Sequence, residues 1–128
     1  MGVASDWRGE LAAMLEDTNI LLLDPWRDDW DASWEQSIED KNFREQVEWE
    51  LEGIEEADLA VIHFDPGTTA PITLLELGIA TRFPSLAVVH CPEGFWRKGN
   101  VDVVCEHFGI AQVDSLEELA EYVRQEAR

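Results

Sequence analysis

Apolar residues recur along this chain in two rhythms. The first is a short unbroken run, seen at Asn19–Asp24, Ala57–Phe64, Leu86–His90 and Ile110–Val113. Such runs, rich in Val, Ile and Leu and ended by turn residues such as Asp24-Pro25 and Asp65-Pro66-Gly67, predict strands buried on both faces of a parallel sheet. The second is helical spacing. Trp7, Leu11, Met14 and Leu15 share one stripe behind Ser5, and Phe43, Val47, Leu51 and Ile54 share another that runs to Glu56. Asn42 with Glu45 has the spacing of a capping box for that second helix, and Pro71 suits the first position of a third that runs to Arg82. A helix over Val101–Phe108 and a last one opened by the capping box Ser115 with Glu118 complete the pattern.

Strands that alternate with helices predict an α/β domain with crossover helices, here a single domain over residues 1–128. Sheets of this kind place their sites at the carboxyl ends of the strands. The informative segments are therefore residues 24–40, 64–71 and 90–100.

Two glutamates interrupt the predicted core faces. Glu50 falls on or beside the stripe begun by Phe43, and Glu76 sits among Ile72, Leu75, Ile79 and Ala80. A buried carboxylate needs donors or cations to stay ionised. Helix edges also let a glutamate snorkel to water, and for either residue alone that is the simpler explanation. Two of them, on helices that lead out of and into the strand at 57–64, suit one pocket. Paired carboxylates serve glycosidic-bond cleavage, one at the oxocarbenium-like carbon while another group protonates the leaving atom.

Composition narrows the substrate. The formal charge of -19 arises from 28 acidic and 9 basic side chains, a surface that repels duplex nucleic acid and anionic lipid but not an uncharged nucleoside or base. Cys91 and Cys105 make no disulfide framework, and no apolar run reaches membrane-spanning length, so the expectation is a reduced cytoplasm and no membrane. His90-Cys91 and Cys105-Glu106-His107 lack the spacing of a zinc finger, and neither a metal nor a cofactor is expected. Trp26, Trp30 and Trp34 recur every four residues, as a core stripe or as a stacking wall for a base. Arg97 and Lys98 suit a phosphate contact or a solvated turn.

Three segments carry a family likeness. These are Asp58–Pro66 followed by Pro71-Ile72-Thr73-Leu74-Leu75-Glu76-Leu77-Gly78, then Pro25-Trp26-Arg27-Asp28-Asp29-Trp30-Asp31 with Glu45–Leu51, and finally Gly94-Phe95-Trp96-Arg97-Lys98-Gly99-Asn100-Val101. Together they resemble the nucleoside 2-deoxyribosyltransferases, over nearly the whole chain. The resemblance implies a flavodoxin-like parallel sheet with helices on both faces. It also implies an enzyme that breaks the bond between a 2-deoxyribose and its base, holds the sugar on a glutamate and passes it to a second base. Glu76 then matches the nucleophile and Glu50 the acidic partner that faces the base; if the tryptophan loop binds the base, Trp30 stacks on it and Asp29 hydrogen-bonds its edge. Asn100 matches an amide that reaches a neighbouring subunit's sugar, which implies a homo-oligomer. An aspartate that members place ahead of the nucleophile for the sugar hydroxyls is Ala70 here, which leaves Asp65 or Thr69 to that work. Members also begin with a strand ahead of the first helix, and in the order 2-1-3-4-5 that strand is central. The expectation for this chain is a start that is truncated, or a strand replaced in some other way, for example by the run at 19–24 moving inward or by a partner chain. The alternatives to transfer are hydrolysis of the same bond in a nucleoside or its 5′-monophosphate, and a non-catalytic nucleoside-binding or assembly module.

Overall fold

The computed structural model describes residues 6–23 and 33–127, so Ser5, Asp29, Trp30 and most of the tryptophan loop lie outside the described residues. The chain divides into two units, residues 1–20 with 58–128, and residues 21–57.

The first unit is built on three parallel strands, β1 (Ala60–His63), β2 (Ala87–His90) and β3 (Ala111–Val113), in the order β1-β2-β3. The pairing sets His63 opposite His90 and Val88 opposite Ala111. Period-two alternation assigns the faces. Ile62, Phe64, Ala87, Val89 and Cys91 join Leu77 and Ala80 of α3 (Pro71–Ala80) with Val101 and Cys105 of α4 (Lys98–Phe108). Val88 turns the other way, to Leu11 and Leu15 at α1 (Trp7–Met14) and Leu119, Ala120 and Val123 of α5 (Leu116–Glu126). The result is an open α/β sheet with helices on both faces, the flavodoxin-like arrangement. Both valines of β2 are fully buried, as expected of a strand covered on either side. Each such side chain contributes roughly 1.5–3 kcal/mol by leaving water.

The caps explain where the helices begin. Ser115 Oγ accepts from the Glu118 N–H at 3.0 Å, and Glu118 returns the bond to the Asp114 N–H at 2.7 Å, one residue earlier than a capping box requires. At α1 the cap is Asp6, which accepts from the Gly9 N–H.

In the second unit α2 (Lys41–Glu56) starts from Asp40, whose carboxylate accepts from Phe43 N–H at 3.1 Å and from Glu35 N–H at 2.8 Å. Asn42 is therefore inside the helix, not its cap. Two cap-competent residues stood two positions apart, and the aspartate that also ties down the preceding turn wins.

The expected strand at 19–24 is corrected. Residues 19–23 join no ladder, and Leu21, Leu22 and Leu23 are exposed. Thr18 instead makes a turn, donating its hydroxyl to the Leu15 carbonyl and accepting from the Ile20 N–H. An apolar run licenses burial, but a strand also needs a neighbour for its backbone groups.

Candidate active site

The loops after β1 and β2 lie side by side at the carboxyl end of the sheet. Phe64, fully buried, sets its ring 4.8 Å from Phe95, and the Phe64 N–H donates to the His90 carbonyl at 3.0 Å. Beyond Phe64, Asp65 turns the chain by accepting from Gly67 N–H through Oδ1 at 2.9 Å, while its carbonyl accepts from Thr68 N–H and Oγ1–H. Trp96 then bridges the two loops by donating its indole N–H to the Thr69 carbonyl at 2.9 Å. This bond joins Thr69 to a residue to which the sequence assigned no role.

Glu76 follows in the second turn of α3 and is the helix's single charged residue. It is half-buried, on the border of the core face and not in its middle. Leu77 and Ala80 are buried with Leu74 packed beside them, whereas Ile72 and Leu75 are 58% and 62% exposed. The predicted face was thus rotated. A helix as apolar as this one carries little periodic signal, so several faces fit equally. At its N-terminus Ala70 is left-handed, with φ 43° and ψ 53°, and gives no side-chain cap.

In α2 the half-buried Glu50 accepts a hydrogen bond from Gln46 Nε2 at 3.0 Å. Gln46, four residues earlier, is the one buried residue of that helix. The signal for it was the i,i+4 spacing of an amide and an acid.

Asn100 is exposed in the first turn of α4. Arg97 stacks its guanidinium 4.4 Å from the centre of the Trp96 ring. Lys98 donates to the Cys91 carbonyl at 3.0 Å and to Asp102 Oδ1 at 3.1 Å, with Gln112 a second donor to the same oxygen. Burial opposes the charge on Lys98, but Asp102, together with Cys91 and Glu93, outweighs it and raises the ammonium pKa. Gln112, then Lys98, lower that of Asp102 against the effect of burial. Among the assigned residues, the structure brings Thr69 to the loop that precedes Arg97 and Lys98. Glu50 belongs to the other unit, and Asp29 and Trp30 lie outside the described residues.

A pair of histidines closes the other face of the sheet. His63 and His90 end β1 and β2, with their Nδ1 atoms 2.9 Å apart and Trp7 of α1 stacked 4.8 Å from His63. Burial, then the neighbouring His90, lowers His63 to about 4 despite Asp65. Burial also lowers His90, opposed by a hydrogen bond to the Asp114 backbone. The pair follows from strand register, which the sequence does not state. Cys91 and Cys105 belong to the opposite face, where burial raises both thiols to about 11.

The family model described as nucleoside 2-deoxyribosyltransferase like matches residues 1–95. The chain belongs to this family. The match spans Glu50, Asp65, Thr69 and Glu76, and ends just before Trp96. No curated protein matches the chain. Among the described residues no helix is long and apolar enough to cross a membrane.

Proposed function

We propose that this deoxyribosyltransferase-like protein moves a 2-deoxyribosyl group from one nucleobase to another. The observation that carries the reading is Glu76, a half-buried carboxylate on the helix entered from the β1 loop, inside the stretch matched by the family model. Its carboxylate attacks the anomeric carbon while the bond to the base breaks, and the departing base takes a proton from Glu50. A second base then attacks the glycosyl-glutamate, frees Glu76 and returns a proton to Glu50. Glu76 lies in the second turn, where the helix dipole is already weak, so its ionisation depends on nearby donors. Gln46 supports Glu50 in its role by donating its amide N–H to the carboxyl and so fixing where that group points. Asp65 and Thr69 are assigned to the sugar, Asp29 and Trp30 to the base, and Arg97 and Lys98 to a phosphate if one is present. Asn100 is assigned to a neighbouring copy's sugar in a homo-oligomer.

The test is to incubate the protein with a deoxynucleoside and a different free base and to separate the products by chromatography. A new nucleoside is expected, lost about a thousandfold or more in Glu76→Ala and about a hundredfold in Glu50→Gln. Free base without a new nucleoside would replace transfer by hydrolysis. Absence of any product with the unmodified protein would sink both.

A further inference from the structure

Trp96 is out of place as an ordinary core aromatic. It is 56% exposed, yet its indole N–H is spent on a backbone carbonyl 27 residues away in the chain. That carbonyl belongs to Thr69, and the peptide it forms leads into Ala70, the one described non-glycine residue with positive φ. Two features make Ala70 unfavourable. A left-handed alanine brings its Cβ against the backbone carbonyl, and a residue that precedes proline, as Ala70 precedes Pro71, favours extended backbone instead. Such a conformation persists only where its surroundings over-determine it.

The surroundings here act from both sides of the peptide. Ahead of Ala70, Trp96 fixes the Thr69 carbonyl, and Arg97 against the indole restrains that ring. Behind it, the Ala70 carbonyl accepts the first bond of α3, from the Leu74 N–H at 3.0 Å. The buried Phe95, next to Trp96, is seated against Phe64 and gives the strut a rigid root.

We propose that Trp96 is a positioning residue for Glu76. By holding the Thr69–Ala70 peptide it keeps Ala70 left-handed, which fixes where α3 begins and so where its second turn presents the carboxylate. The inference rests on the transfer reading for its catalytic consequence, but not for its structural one. A nucleophile must meet its carbon in a narrow range of geometry, and a displacement near 1 Å costs up to about 100-fold in rate.

The experiment compares the wild type with Trp96→Phe, Ala70→Gly and the double variant. Phenylalanine keeps an aromatic ring and deletes the donor. Glycine adopts the left-handed conformation without the Cβ clash. Trp96→Phe is expected to lower kcat for base exchange about tenfold or more, with KM within about twofold. Amide exchange at Leu74 is expected to rise about 2–10-fold, the scale of one hydrogen bond. The double variant is expected to recover both. A merely structural tryptophan would leave Ala70→Gly unable to rescue, and that result overturns the proposal. So does unchanged Leu74 exchange in Trp96→Phe, whatever the activity. An inactive wild type would sink the transfer reading, and Leu74 exchange would still decide what Trp96 does.

Discussion

Acid is expected to weaken this fold through His63. The His63 Nδ1 faces that of His90 at 2.9 Å, and a hydrogen bond to the Asp114 backbone engages the second ring, so the consistent arrangement is His63 N–H donating to a neutral His90 nitrogen. Around the pair stand Trp7 and Arg8 of α1, Asp65 after β1, Asp114 after β3, and Glu117 and Glu118 of α5. His63 is held at about 4 in the folded chain against an ordinary 6.5. Because the folded value is depressed, the unfolded chain binds the proton first. The contribution is present above pH 6.5 and is lost as pH falls from there towards 4. Those two values give a loss of about 2 kcal/mol between pH 7 and pH 5. His63 is only half-buried, so solvent screening reduces this to about 1 kcal/mol. The assay is urea unfolding at both pH values for the wild type and for His63→Asn, which retains a donor near the Nδ1 position but does not titrate. The carboxylates of this acidic chain also titrate in this range, so the decisive quantity is the difference between the two proteins. Wild type should lose about 1 kcal/mol more than His63→Asn. Parallel losses would refute the reasoning.

Other expectations follow from single residues. Ala70→Asp should raise stability by up to about 1 kcal/mol, because aspartate tolerates left-handed backbone better than alanine; a fall in Tm would contradict the strain assigned there. Gly109→Ala should cost about 1 kcal/mol in urea unfolding, since φ is 76° although nothing lies within 4 Å of an added Cβ. Cys91 and Cys105, buried and raised to about 11, should resist thiol reagents at pH 8 until the protein is unfolded. Rapid labelling of the native chain would show that the α3 and α4 face is not closed.

Much of this architecture was legible because its strands are short, apolar and bounded by turn residues. β1 and β2 fall inside the runs at 57–64 and 86–90, and α5 starts from the serine the sequence singled out. Legibility failed where one signal served two outcomes. The leucines at 21–23 were read as a buried strand and are exposed, since apolarity does not supply a pairing partner. In α3 the core face comprises Leu74, Leu77 and Ala80 and not Ile72 and Leu75, because nearly every position is apolar. Glu76 was visible as a carboxylate set among apolar residues. The Trp96 bond to Thr69 and the histidine pair were not, because both come from loops or strands brought together by the sheet.

The claim that Glu76 carries the sugar is open to one direct measurement. The protein is incubated with a deoxynucleoside and no acceptor base, quenched in acid, digested and analysed by mass spectrometry. The account predicts one 2-deoxyribosyl addition on the peptide that contains Glu76, absent from Glu76→Gln and discharged when a free base is added before the quench. An adduct on a different peptide, or base exchange by Glu76→Gln at the wild-type rate, would contradict it.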